Sequence, residues 1–268
     1  MPKAKVNGVN IYYEVHGKGV PLVLIQGFGG DHRAWFFQTP VFKTYYTVII
    51  FDNRGIGKSG RSSEPYTIRT MADDAIGLMD YLSVDKAHIL GLSLGGLVAQ
   101  EIAITYPERV RKLVLGSTFA GREVKDINPD MLKAIGVKEG STNADIRSID
   151  FRKLMNVMVS LAFNRMVCRM FLVPLAKYGM KSVKPEGYLD QMASVGDYDT
   201  LDRLHLVQAP TLVITGTGDR IVSPQISDLI ASRIPNAKLV KVKGGSHAFF
   251  IEMRGRFNKE VLEFLTGG

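Results

Sequence analysis

A serine flanked by glycines, with a histidine and an aspartate in later Gly-rich loops, supplies the residue types needed for nucleophilic acyl transfer. The segment Gly91-Leu92-Ser93-Leu94-Gly95 directly follows the apolar run Ala87-His88-Ile89-Leu90 and directly precedes a helical pattern. A Gly-x-Ser-x-Gly at a strand-to-helix junction places glycine where the backbone must turn tightly. The turn pushes the Ser93 hydroxyl out at the end of the strand. The five residues alone recur by chance, and it is the strand-turn-helix context that favours a nucleophile over a plain turn. The helix that follows points its N-terminus at the site and so favours developing negative charge there.

Ser93 needs a base, and five histidines compete for the role. His16 falls in the turn His16-Gly17-Lys18-Gly19, His88 lies within an apolar strand, and His205 sits in a mixed connection, so all three read as structural. His32 stays in contention because it follows the Gly27-Phe28-Gly29-Gly30 loop. His247 follows a strand and Gly244-Gly245-Ser246, just before the C-terminal helix, and is the expected base. A third group must hold the imidazole in one tautomer and stabilise the cation formed on proton transfer. Asp219, in Gly216-Thr217-Gly218-Asp219-Arg220 after another apolar strand, suits that role. Alone it would read as a turn residue. The alternative place, after Leu115, reads Gly116-Ser117-Thr118-Phe119-Ala120 and holds no carboxylate. Two backbone N–H groups, those of Leu94 and Phe28, are expected to hold the oxyanion.

The elements that must position these loops follow from periodicity. Non-alternating apolar runs at 21–25, 47–51, 87–90, 112–115, 211–214 and 238–242 read as strands covered on both faces. Asn7-Gly8 between Lys5-Val6 and Val9–Val15 predicts a hairpin. Apolar spacings of three and four predict helices over 67–82 and 95–106, and Ser223-Pro224 predicts an N-cap and first turn for a helix over 223–233. Strands alternating with helices imply an α/β fold with a mostly parallel central sheet. Residues 120–200 break this rhythm and hold seven of the eleven methionines, so they are expected to form a helical cap. The core would then be residues 1–119 and 201–268.

One Gly-rich segment needs a separate test. Gly55-Ile56-Gly57-Lys58-Ser59-Gly60 has a dinucleotide-type spacing and a Gly-Lys-Ser core, but position 52 is Asp where a phosphate loop needs glycine. Arg61-Ser62-Ser63-Glu64-Pro65 follows it in place of a helix, which argues against a Rossmann loop. A structural loop fixed by Asp52 and Arg54 is the preferred reading.

The order Ser93, Asp219, His247, preceded by Gly27-Phe28 and by Asp52-Asn53-Arg54-Gly55-Ile56-Gly57-Lys58-Ser59, resembles the α/β-hydrolase superfamily. Within it the chain is similar to the cap-bearing carboxylesterase, enol-lactonase and cofactor-free haloperoxidase group. Gln26 departs from the histidine that many relatives carry before the oxyanion glycine. Serine at 93 separates the chain from haloalkane dehalogenases and epoxide hydrolases, which use aspartate there. The resemblance implies a serine hydrolase acting on a small-molecule ester through an acyl-enzyme, with no metal or organic cofactor. A lactonase, a thioesterase or a perhydrolase would use the same triad, and a ligand receptor is the non-enzyme alternative.

Composition bounds the rest. With 268 residues, 46% hydrophobic and 22% charged, the chain can bury a sizeable core, and its single cysteine, Cys168, permits no internal disulfide. Cys168 is expected to be a buried small hydrophobe. No leader-like N-terminus and no run of bilayer length is seen, so a cytoplasmic protein that binds neither membrane nor nucleic acid is expected. A homodimer is left open. The net charge of +8 concentrates at Arg152, Lys153, Arg165, Arg169, Lys177, Lys181 and Lys184. A solvated helix face is the plain reading of this run, and an anionic ligand near the basic cap, such as an acyl thioester with a phosphate, is the functional one. Gln26, Met155, Met158, Arg165 and Arg169 are the expected substrate contacts. Met166 and Met170 are read with Met155 and Met158 as cap core.

Overall fold

The computed structural model describes residues 2–121, 128–136, 150–166, 168–171, 173–174, 185–195 and 198–267. Among these, eight strands form one sheet in the order β1-β2-β4-β3-β5-β6-β7-β8. They are β1 (Lys3–Val6), β2 (Val9–His16), β3 (Val20–Ile25), β4 (Tyr46–Phe51), β5 (Ala87–Leu92), β6 (Val110–Gly116), β7 (Thr211–Gly216) and β8 (Ala237–Val242). The β1–β2 and β2–β4 pairs are antiparallel, and every pair from β4 to β8 is parallel. The first hairpin turns at Asn7 and Gly8 with φ of 44° and 80°, the positive pair that a two-residue turn of this kind requires.

The unbroken apolar runs have a geometric cause. Alternate residues of each parallel strand feed two different cores: Val23, Ile25, Ile49, Phe51, Leu113 and Leu115 lie in one, and Leu22, Leu24, Val48, Ile50 and Val114 in the other. The first core includes apolar residues of α2 (Ile68–Tyr81), α3 (Leu94–Thr105) and α7 (Gln225–Arg233). The second includes Phe42 of α1 (Thr39–Phe42), Phe249 of α8 (Phe249–Glu252) and Phe257, Val261 and Leu265 of α9 (Arg254–Thr266). A central sheet covered by helices on both faces is the α/β layering expected from sequence.

Between β6 and β7 the described residues include α4 (Pro129–Ile135), α5 (Phe151–Leu161) and α6 (Pro185–Val195). Asp150 caps α5 by accepting the Lys153 N–H at 2.8 Å. Leu154, Met155 and Leu161 are buried on this helix, whereas Met166 and Met170, expected in the same apolar stripe, are 69% and 63% exposed. The stripe therefore ends with α5. Cys168 is half-buried, not buried as expected, and its thiol is shifted upward chiefly by desolvation. Helix α7 begins at Gln225 with Pro224 as its N-cap, one position later than the sequence pattern predicts, and the Ser223 hydroxyl donates to Gln225 Oε1 at 2.6 Å instead of capping the helix. No helix among the described residues is long and apolar enough to cross a membrane.

Candidate active site

Ser93 stands between β5 and α3 with φ 52° and ψ −121°, a conformation that costs a non-glycine residue about 1–3 kcal/mol. Its surroundings enforce it. A Cβ on Gly91 would collide with the Gly95 carbonyl oxygen, and one on Gly95 with the Ile25 carbonyl oxygen. The elbow is tied to the next strand by Ser93 N–H donating to the Gly116 carbonyl at 2.9 Å and by Thr118 Oγ1 donating to the Ser93 carbonyl at 2.7 Å.

Asp219 and His247 arrive on loops after β7 and β8. Asp219 is 2% exposed, and its Oδ1 accepts the N–H groups of Ile221 at 2.8 Å and Val222 at 3.0 Å. Its Oδ2 lies 2.7 Å from His247 Nδ1. An ionised carboxylate only accepts, so Nδ1 carries the proton and Nε2 is left as an acceptor. The two loops lock together through Gly218 N–H donating to the Gly245 carbonyl at 2.8 Å. His247 and Ser93 line one cavity of about 380 Å³.

The loop after β3 forms another wall. Gly27 N–H donates to Gln26 Oε1 at 2.8 Å, Gly29 N–H to Gln191 Oε1 at 2.7 Å, and Gly30 N–H to the Gly27 carbonyl at 3.1 Å. Phe28 N–H finds no acceptor among the described residues. Leu94 N–H sits in the first turn of α3, where backbone donors have no partner within the helix. A Cβ on Gly27 would lie 3.0 Å from Ser93 Cβ, so the loop packs directly against the serine. The remaining lining is largely apolar, with Met155, Met158, Val159 and Phe163 contributed by α5 and the segment after it.

An α/β-hydrolase fold model matches residues 20–142 and 174–253, well over half of the chain. The chain belongs to the α/β-hydrolase fold family. It is 29% identical over 269 residues to the protein named "Putative carbamate hydrolase RutD" of Azorhizobium caulinodans, covering 98% of each chain. Among solved structures, the enol-lactonase of Burkholderia xenovorans LB400 superposes with a TM-score of 0.84 at 26% identity, over 99% of this chain and 100% of that one. A thermophilic esterase of Thermogutta terrifontis superposes with a TM-score of 0.82 at 26% identity, over 98% and 97% of the two chains.

In this α/β-hydrolase the other expected contacts divide. Gln26, Phe28, Met155 and Met158 border the cavity with Ser93. Arg165 and Arg169 do not: both are exposed, and neither lines it. Their place in the basic run marks these arginines as contacts, but α5 ends at Leu161, before reaching them. Lys177, Lys181 and Lys184 lie outside the described residues. Among the described residues, the charged side chains at the cavity are Asp31 and Arg33, which neutralise each other at 2.5 Å.

His32, the rival base, is buried and bonds through Nδ1 to Asp52 Oδ1 at 2.7 Å. It does not border the cavity. Asp31, His32 and Asp52 bring possible metal-ligating atoms within 4.8 Å of one another, but the Asp52 carboxylate already accepts from His32 N–H, His32 Nδ1 and Lys58 N–H. The group is a hydrogen-bonded hub that fixes the 52–60 loop. Arg54 secures the same loop by pairing with the buried Asp74 of α2 at 2.6 Å. These roles match the structural reading of Asp52 and Arg54.

Three residues of the site region carried no separate signal in the sequence. Ser117 lines the cavity from the loop after β6, which holds no carboxylate between Gly116 and Ala120. Tyr188 of α6 lines it, its ring edge-on to Phe28 at 6.2 Å, and burial shifts its phenol upward so that it stays protonated. Glu252 is buried behind the His247 loop and accepts from the Ser246 hydroxyl.

Proposed function

We propose that this α/β-hydrolase cleaves carboxylic esters through an acyl-enzyme formed on Ser93. One observation carries the reading: His247, hydrogen-bonded through Nδ1 to a buried Asp219 at 2.7 Å, shares a cavity with a serine held in a strained strand-to-helix turn. In this reading Ser93 Oγ attacks the ester carbonyl carbon while His247 Nε2 takes its proton. Phe28 and Leu94 N–H groups hold the tetrahedral oxyanion, and α3 directs its positive end at the same point. Collapse breaks the bond to the alcohol, which leaves with the proton returned by His247. Water, deprotonated by the same imidazole, then attacks the acyl carbon and regenerates Ser93.

The same machinery opens a lactone, an ester whose alcohol stays attached to the acyl group. Similarity to an enol-lactonase favours this as the second reading. Incubation with para-nitrophenyl butyrate and with a small lactone separates the two. Ser93→Ala is expected to lower either activity by on the order of 10³-fold or more. Full activity in that variant excludes the acyl-enzyme. Specific ligand binding by wild-type protein that turns over no ester, lactone or thioester supports a receptor instead.

A further inference from the structure

Two buried polar side chains bordering the cavity carry groups for which the described residues provide no partner. Gln26 is 5% exposed, and its Oε1 is committed to Gly27 N–H at 2.8 Å, which fixes the amide orientation. Its Nε2 is buried with no acceptor among the described residues. Ser117 is 2% exposed and held at φ 43°, with its N–H donating to the Ile214 carbonyl at 3.0 Å. Its hydroxyl is likewise without a partner among the described residues. Other orphaned atoms, such as Trp35 Nε1 and His88 Nδ1, belong to residues that do not border the cavity.

Topology puts the pair on either side of the serine. Strand β5 lies between β3 and β6 in the sheet. Gln26 directly follows β3, Ser93 directly follows β5 and Ser117 directly follows β6. A buried donor without an acceptor destabilises the fold, and an apolar side chain of similar size would fill either place without that cost. A largely apolar pocket with a few convergent polar groups is the usual form of a site that selects its ligand.

We propose that Gln26 Nε2 and Ser117 Oγ form a polar subsite that binds a second acceptor oxygen of the substrate, an ether, keto or hydroxyl oxygen near the scissile carbonyl. The subsite rests on the ester-hydrolase reading. It selects oxygenated acyl or alcohol groups over alkyl groups of the same shape, because an alkyl group leaves both donors buried and unpaired.

The test uses isosteric pairs in two arms. The acyl arm compares para-nitrophenyl methoxyacetate with para-nitrophenyl butyrate, and the alcohol arm compares methoxyethyl acetate with butyl acetate. Each pair exchanges one methylene for oxygen, and its intrinsic reactivity difference cancels when variants are compared with wild type. Gln26→Leu, or the smaller change Ser117→Ala, is expected to lower the oxygenated-to-alkyl ratio of kcat/KM by about tenfold in one arm. The affected arm locates the subsite on the acyl or alcohol side. An unchanged ratio in both arms for both variants, or equal loss on both members of each pair, overturns the proposal. Wild-type protein that cleaves no ester of either pair overturns the ester-hydrolase reading itself and takes the subsite with it.

Discussion

Glu252 accepts the backbone N–H of Arg165 at 2.7 Å, joining the segment after α5 to the region just beyond His247. Its other carboxylate oxygen accepts the Ser246 hydroxyl, one residue before the histidine. Ala248 N–H donates to the Ala162 carbonyl at 2.9 Å, and Asn164 Nδ2 donates to the Gly218 carbonyl at 2.8 Å. Residues 162–165 are thereby bonded directly to Ala248 and Gly218 and, through Glu252, to Ser246. This wall of the cavity and the Asp219–His247 pair are one hydrogen-bonded unit.

Replacing Glu252 with Leu removes the acceptor from this unit and leaves the Ser246 hydroxyl and Arg165 N–H unpaired. The His247 loop is then free to shift, and displacements near 1 Å can cost on the order of 10²-fold in rate. The expected result is a fall in kcat of roughly 10- to 100-fold with a smaller change in KM. Glu252→Gln, whose Oε1 still accepts from Arg165, is expected to recover most of it. Steady-state kinetics of the two variants checks this, and equal losses in both would exclude an acceptor role.

Asp219→Asn tests the tautomer. The oxygen of the introduced amide would still accept from Ile221 and Val222 N–H, so the loop keeps its shape. The amide nitrogen would instead donate to His247 Nδ1, moving the imidazole proton to Nε2, where it blocks the base. A loss of kcat approaching 10⁴-fold with little change in stability is expected. A loss under about tenfold would remove Asp219 from the mechanism.

Arg54 and Asp74 are a buried ion pair, 4% and 2% exposed, bonded through two nitrogens at 2.6 Å each. Asp74→Ala strands the guanidinium in the core and is expected to cost about 3–5 kcal/mol in urea unfolding. Replacing both, Arg54→Met with Asp74→Leu, removes the stranded charge and is expected to cost much less. If the double variant is no more stable than Asp74→Ala, the loss comes from packing and not from the unpaired charge.

The sheet was legible in the sequence because burial on both faces writes itself as unbroken apolar runs, as in Leu22–Ile25 and Val48–Phe51. Ser93 was legible because its turn is local and demands glycine within two residues on each side. Periodicity failed where the question was which face is covered. It grouped Met166 and Met170 with Met155, yet of these three only Met155 is packed. The run of positive charge was no better a guide, since Arg165 and Arg169 do not line the cavity. Ser117 and Glu252 were unreadable for a different reason: their surroundings come from residues distant along the chain, such as Ile214 for Ser117 and Arg165 for Glu252.

His88 offers a pH test of the core. Its ring is 7% exposed within β5, packs edge-on to Tyr46 with centroids 5.6 Å apart, and has no partner for Nδ1 among the described residues. Burial, with Lys112 and Arg111 adding to it, lowers its pKa from 6.5 to about 4. Between those values the unfolded chain binds a proton that the folded chain refuses, so stability falls as pH drops through the window. The shift corresponds to about 3 kcal/mol lost by pH 4 relative to pH 7. Chemical unfolding of wild type and His88→Leu at pH 7, 5.5 and 4 measures it. The variant is expected to lose stability less steeply, because leucine has no proton to bind in the unfolded state. Parallel curves for the two proteins would mean that His88 is protonated in the folded chain and that the acid sensitivity lies elsewhere.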